Sequence, residues 1–398
     1  MASIKKLPNG KWRARADKDR VTRYEPTRHF DTRKEAQRWL DEITASKVSG
    51  TYADPRSGRI TFKDYAEHWR KTRLHSGSTA ANVDQHLRVH CYPELGDLQM
   101  SEIRKSQLTT WLAARPIADS TKNIVLGTVK SLFADAVEDK VLATSPAKDV
   151  ALPSRASTQD MWIPTWPQVN QLRNLLPEKY KLAVDLVVGA GLRQGELLGL
   201  ELDCVDFLKT KSVIVRQQRK QIPSPLHIGF PKTVHSRRSI PVADLLLQQV
   251  AEHVRQGYVR DCTVLDRTQP KAKRGASDEE LMRPARLLFT TGRGEPRLMW
   301  ANEWRAVWRK AAEQVEGWPL DGYRGGVHCL RHFYASGLIR YGESAPTVCR
   351  RLGHANPNVT MGIYAHLWPD SDVTTRKAIE AMYAEQEREL SAVENLSD

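Results

Sequence analysis

The chain has 398 residues, enough for two or three domains and more core than one small module can hold. Its 61 Lys and Arg exceed its 47 Asp and Glu by 14, which favours a polyanionic partner, nucleic acid first and an anionic membrane surface second. There is no run of 18 apolar residues and no charged-then-apolar leader, so a cytoplasmic protein without a membrane span is expected; Cys91, Cys204, Cys262, Cys329 and Cys349 are odd in number, far apart and never in a C-x-x-C pair, which argues against a disulfide framework or zinc site and predicts reduced thiols.

The charge is concentrated at the N-terminus. Residues 1–60 hold 15 Lys or Arg against 8 Asp or Glu, so +7, half of the total, lies in about a seventh of the chain. "PNG" reads as a turn, "KWRARA" alternates as a strand, and "TRHF" closes a small three-stranded sheet. Asp31 is expected to cap a helix with Ala36, Trp39, Leu40 and Ile43 on one face. A sheet of this kind could lay basic strands in a DNA groove; a solvated basic face on an α+β appendage is the plainer alternative. "TYADPRSGR", 51–59, reads as a linker.

From about residue 60 to 150 the pattern turns helical. Phe62, Tyr65, Ala66 and Trp69 recur at helical spacing after a Thr cap, and two further long helical stretches follow, with "PELG" and "RPIADS" as turns. This predicts a small helical bundle. A Pro- and Ser-rich stretch, residues 152–167, separates it from the remainder.

The remainder carries the chemistry. In "VDLVVGAGLRQGELLGL" an apolar helix is expected to end at Gly189, with Arg193 at the turn into a second helix bearing Glu196, Leu197 and Leu200. Alone, Arg193 and Glu196 read as a structural ion pair. "HIGFPKTVHSRRSIPV" alternates as strands, with a hairpin bend at "TVHS" and Lys232 at its edge, where lysines commonly serve as solvated edge protectors. In "GVHCLRHFYASGLIRYG" His328 and Arg331 lie three apart and share a helix face. His354 follows 23 residues after Arg331, and Tyr364 ten after that, in "LGHANPNVTMGIYAH". A phenol near its reference pKa of about 10 is almost wholly protonated at neutral pH, so Tyr364 either packs or is a nucleophile activated by its neighbours.

Elsewhere the plain readings hold. Trp300, Trp304 and Trp308, four apart, read as the core stripe of an amphipathic helix; "KAKRG", 271–275, as a mobile loop; His366 as local hydrogen bonding; and 373–394 as a helix with Ile379, Met382, Tyr383 and Leu390 available for packing.

Together, "AGLRQGELLGL", "PKTVHSRRSIPV", "HCLRH" and "LGHANPNVTMGIYAH", in this order and spacing, resemble the tyrosine recombinases, the lambda-type phage integrase family. The resemblance covers the chain from about residue 60, and the N-terminal unit resembles the arm-site-binding domain of phage integrases. It departs from the family at Cys329, where members often carry Asp. The implied fold is multidomain: a small N-terminal α+β domain with a three-stranded sheet (1–55), an all-α helical core-binding domain (60–150), and a mixed, mainly α catalytic domain (160–398) with a C-terminal tail that the resemblance implies docks on a neighbouring subunit.

The implied function is site-specific recombination, integrating and excising an element at its attachment sites through a 3′-phosphotyrosine. Attack on a phosphodiester adds negative charge to anionic oxygens, and the sequence shows neither a carboxylate cluster of metal-ligand type nor a phosphate-binding glycine loop, so no metal or cofactor is expected. Arg193 and Arg331 can fork onto the non-bridging oxygens, Tyr364 attacks, Lys232 protonates the departing 5′ oxygen, and His328 accepts or shares the tyrosine proton. His354 is expected to bond the scissile phosphate and Glu196 to orient the cluster. The partners implied are double-stranded DNA at core-type and arm-type sites, three further copies of the chain in a synaptic tetramer, an excisionase and a DNA-bending host factor. Two alternatives use the same fold: a type IB topoisomerase that nicks and reseals without exchange, and a catalytically idle DNA-binding regulator.

Overall fold

The computed structural model describes residues 2–18, 25–49, 52–74, 77–152, 161–291, 295–321, 324–367 and 371–394. Residues 1–157 and 158–398 form two compact units. Half of the expected inter-domain stretch, residues 153–160, lies outside the described residues, as do the side chains of His366 and Leu390, and the last two residues of the stretch belong to a helix.

The first unit begins with an antiparallel sheet of β1 (Ser3–Lys6), β2 (Trp12–Arg15) and β3 (Thr27–Phe30), covered by α1 (Arg33–Val48). Ala14 and Ala16 pack on Ala36 and Leu40, flanked by Ile4, Trp12, Phe30, Trp39 and Ile43. Thr32, not Asp31, caps α1. Its hydroxyl accepts from the Glu35 backbone N–H at 3.2 Å while the Glu35 carboxylate accepts from the Thr32 N–H at 3.1 Å, a reciprocal pair that Asp31, one residue earlier and beside Lys11, does not form.

The supposed linker is not free. The Asp54 carboxylate is buried and paired with Arg56; the carbonyls of Gly58 and Ile60 accept from Ser101 and Met100 N–H, each at 2.9 Å. The Asp54–Arg56 pair holds the segment's own turn, and Gly58, seated close to Ser101, with Ile60 fastens its end onto the helices that follow.

Those helices are α2 (Phe62–Thr72), α3 (Gly77–His86), α4 (Tyr92–Leu95), α5 (Lys105–Ala114) and α6 (Asp119–Glu138). Thr61 caps α2 as expected, and Phe62, Tyr65, Ala66 and Trp69 are buried against Leu87, Leu132 and Phe133. "PELG" is helical rather than a turn. A π-helical turn, Leu87–Cys91, joins α3 to α4, and Pro93 follows it closely.

The second unit opens with α7 (Trp166–Leu175), α8 (Glu178–Ala190) and the short α9 (Gln194–Leu197). The apolar helix runs to Ala190 and stops because Gly191 turns left-handed at φ +60°, where a Cβ would also strike the Tyr334 ring. Strands β4 (Val205–Asp206), β5 (Ser212–Val215), β6 (Gln218–Lys220), β7 (His227–Gly229) and β8 (Arg238–Pro241) follow. The expected hairpin around "TVHS" does not form. β7 pairs with β6, whereas β8 pairs with β5 in the sheet β4-β5-β8, and Val234–Ser236 is a 3-10 turn between the two sheets. Alternation marked both segments as strands but does not select their partners.

Beyond α10 (Asp244–Arg255), strands β9 (Arg260–Leu265) and β10 (Met282–Leu287) form an antiparallel hairpin. "KAKRG" belongs to this hairpin's connection, and Pro270–Arg274 is a 3-10 helix rather than an irregular loop. Arg283 on β10 binds both Glu201 and Asp266, and these buried charges tie the hairpin to the chain after α9.

Helices α11 (Ala301–Ala312), α12 (His328–Arg340), α13 (Ala345–Leu352), α14 (Pro357–Tyr364) and α15 (Ser371–Glu394) complete the chain. Trp304 and Trp308 enter the core as expected. Trp300 precedes the helix and is half-buried, its N–H donating to Glu303 at 2.7 Å. α15 matches the expected terminal helix, with Ile379, Met382 and Tyr383 exposed. All five cysteines are free and buried, and no helix among the described residues is long and apolar enough to cross a membrane.

Candidate active site

The site is assembled from four pieces of the second unit: the α8–α9 turn, the start of β8, helix α12, and the segment from the end of α13 through α14. Gly191 reverses the chain so that Arg193 lands at the start of α9, and its own N–H donates to Glu196 Oε2 at 2.9 Å. The Arg193 guanidinium donates to Glu196 Oε1 at 2.9 Å and to the Gly353 carbonyl at 3.2 Å.

Glu196 is only 2% exposed, and it also takes both prongs of Arg238, at 3.0 and 2.9 Å. Burial by itself would raise its carboxyl, but the Arg238 hydrogen bonds, with the charges of Arg238, Arg193 and Arg331, prevail and hold it at about 2. Arg238 Nε reaches the Arg351 carbonyl at 2.7 Å, which joins β8 to the end of α13.

Arg331 is 1% exposed and pairs with no carboxylate among the described residues. It donates to the carbonyls of Gly191 and Leu352 and to His354 Nε2 at 3.2 Å. Burial, then the nearby charges of Arg193 and Arg238, push it down to about 9, which still leaves it protonated at neutral pH. Two guanidiniums therefore pair with one carboxylate and a third lies in its field, an excess of 3 − 1 = +2 in a partly buried space. Such an excess favours an arriving anion.

His354 accepts from Arg331 at Nε2, so its proton is on Nδ1 and is donated to Thr360 Oγ1 at 2.8 Å. Burial and the surrounding guanidiniums lower it to about 4, so the ring is neutral at pH 7.

Tyr364 ends α14 with 1% of its surface exposed. Its hydroxyl lies 2.6 Å from Nδ1 of His332, a residue the sequence reading passed over. Burial pushes the phenol up to about 12, opposed by Arg331. His332 is lowered to about 4 by burial and then by Arg331. His328 stacks edge-on against His332 with ring centroids 4.7 Å apart. Desolvation and then His332, Arg331, Arg193 and His354 push His328 down.

Thus Arg193 with Glu196 and Arg331 with His354 form two hydrogen-bonded pairs that both hold the backbone of residues 352–353, and His328 and Tyr364 meet through His332. Lys232 stands outside these contacts. It is exposed on the segment between β7 and β8, a segment closed at its base by Arg237 stacked 4.3 Å above the Phe230 ring. Arg238, His332 and Thr360 are the site residues the motifs did not mark. His332 could have been found, since it lies four residues after His328 on the same helix face.

A profile of the phage integrase family matches residues 166–370. The integrase of Mycobacterium phage D29 is 25% identical over 349 residues, covering 85% of both chains; a tyrosine recombinase XerC-like protein of Caldanaerobacter subterraneus is 26% identical over 365, covering 85% of this chain and 87% of its own. The fold is shared with the Tn1549 transposon integrase solved with transposon right end DNA, at a TM-score of 0.64 and 19% identity over 80% of this chain and 98% of that one. It is also shared with the lambda integrase tetramer bound to a Holliday junction, at 0.53 and 16% over 89% and 96%. The chain belongs to the phage integrase family and is a site-specific recombinase of the tyrosine class.

Proposed function

We propose that this recombinase cuts and rejoins double-stranded DNA at the attachment sites of a phage or other mobile element, through a 3′-phosphotyrosine on Tyr364. The excess of guanidinium charge around Glu196, within reach of a buried tyrosine, carries this reading. Arg193 and Arg331 hold the non-bridging oxygens of the scissile phosphate, each contributing roughly 3 kcal/mol to the transition state. Glu196 and Arg238 keep Arg193 aimed. An incoming phosphate raises the proton affinity of His354, whose Nε2 can then donate to it.

Tyr364 Oη attacks phosphorus, and His328 shares in the removal of its proton. Lys232, free on its loop, closes over the cut and protonates the departing 5′ oxygen. The phosphoryl bond is conserved in the phosphotyrosine, so rejoining requires no ATP and no cofactor. Residues 160–398 are the catalytic domain and 60–150 the core-binding domain, while 1–55 read an arm-type site. Recombination takes place in a tetramer in the bacterial cytoplasm, with an excisionase and a DNA-bending host factor setting its direction.

The test is a nicked duplex spanning the junction between the element and its host chromosome. Wild type should become covalently attached in excess EDTA, and Tyr364→Phe should bind that duplex equally well with no attachment. Attachment in the Phe variant, or a requirement for magnesium, would sink the reading.

A further inference from the structure

The family resemblance points to His328 for the tyrosine proton, but the ring that touches the Tyr364 hydroxyl is His332. Resting on the function proposed above, we propose that His332 is the catalytic residue that receives the Tyr364 proton at Nδ1 during cleavage and returns it during rejoining.

The geometry singles out this group. Nδ1 of His332 is 2.6 Å from the tyrosine oxygen, and among the described residues no other side chain hydrogen-bonds that oxygen. The imidazole lies between the rings of His328, 4.7 Å away, and Tyr364, 5.6 Å away, which fixes its plane. The charged and titratable groups around it are His328 and Arg331 on α12, His354 before α14, and Tyr364 on α14 itself. With these neighbours the ring is neutral at pH 7, so one nitrogen is open to accept.

Water cannot do the same work. A phenol raised to about 12 is ionised only on the order of one part in 100,000 at pH 7, so a spontaneous tyrosinate would be scarce. Nor does the step require a stable imidazolium beside Arg331. As the Oη–P bond forms, the phenol becomes an ester oxygen and its proton turns far more acidic, while the bound phosphate brings negative charge that favours a protonated ring. The balance is complete: the Oη proton passes to Nδ1, Oη–P forms, P–O5′ breaks, and the 5′ oxygen takes a proton from Lys232. Rejoining reverses each transfer.

The test uses the full chain and the nicked junction duplex under single-turnover conditions, with His332→Ala and His332→Asn. Both should bind the duplex within about twofold of wild type yet form the adduct about a hundredfold more slowly at pH 7. Their rates should climb about tenfold per unit from pH 7 to 9, as hydroxide replaces the lost acceptor, while the wild-type profile stays nearly flat. Sulfur in place of the 5′ oxygen should not restore them. The proposal is overturned if either variant stays within about threefold of wild type, if Asn alone restores the rate and so shows a merely positioning role, or if the variants cleave faster, as release of a latch would give. Should neither variant fold, a 15N-histidine spectrum of wild type decides, because a protonated His332 Nδ1 at neutral pH also overturns it. If wild type itself forms no adduct that Tyr364→Phe abolishes, the site assignment falls, a result distinguishable from failure of His332 alone.

Discussion

Arg238 grips both oxygens of Glu196, at 3.0 and 2.9 Å, from 42 residues further along the chain. Its remaining nitrogen holds the Arg351 carbonyl, so one guanidinium links the short helix α9, the strand β8 and the end of α13. Arg193 leans on the same carboxylate. The group that aims Arg193 is therefore also a junction of the fold, and on the proposed function stability and activity should fail together when it is lost.

Acid should expose this dependence. The folded-state pKa of Glu196, about 2, lies below its ordinary value of 4.5, so the ionised carboxylate stabilises the fold above about pH 4.5 and that contribution disappears as pH falls toward 2. The difference corresponds to about 3 kcal/mol. Glu196→Gln should cost a similar amount at pH 7, since it leaves Arg238 buried without its partner, and should lack this part of the acid-induced loss. Urea unfolding from pH 7 to 3 measures both. Equal pH slopes in the two proteins would remove Glu196 from the account.

How much of this was legible in the sequence depends on whether a signal is local. Short motifs marked Arg193, Glu196, Arg331, His354 and Tyr364, and the structure brings all five into one region, because each motif includes the glycine, cap or apolar residues that place its own polar group. Arg238 was hidden. It lies in an alternating stretch whose strand partner is set by tertiary pairing, and the same ambiguity turned β7 and β8 into a hairpin that does not exist. His332 was overlooked for a different reason: its spacing from His328 marks the shared helix face, but its partner Tyr364 is 32 residues away, and only the folded chain shows that the two meet.

The cations should separate by chemistry. Arg193→Ala and Arg331→Lys should each slow adduct formation on the order of a hundredfold, and a neutral methylphosphonate at the cleaved position should recover part of that loss because less charge then needs stabilising. Lysine is preferred at 331 because alanine would leave the Gly191 and Leu352 carbonyls without their donor. Lys232→Ala should gain nothing from the methylphosphonate but should be restored by a 5′-sulfur leaving group, which departs without a proton. Recovery of the lysine variant by the wrong substrate would overturn its role as acid.

Cleavage should occur in cis. Tyr364 is buried against His332 of its own chain, beside its own Arg331. Mixing Tyr364→Phe with Arg193→Ala on one duplex should therefore yield no more adduct than the two give separately. Strong complementation would mean that the tyrosine leaves this position to serve a partner.

The N-terminal sheet provides the final test, because its register assigns a use to each face. Ile4, Trp12, Ala14 and Phe30 turn toward α1, so the paired residues Lys5, Arg13 and His29, with Arg15 beside them, share the opposite face, where all four are exposed. A rigid basic face suits a DNA groove, and tethering it to the catalytic unit raises the effective concentration of a second site. Since Gly58 and Ile60 are bonded to the helical bundle, the cut belongs well before them. Deleting residues 2–48 should leave adduct formation on a core-site duplex largely intact while abolishing or severely weakening recombination between full attachment sites. Affinity for full-site DNA should also fall less steeply with salt, by a slope of about 0.9 for each phosphate no longer neutralised. Full activity and an unchanged salt slope in the truncated protein would reduce this face to solvated surface charge.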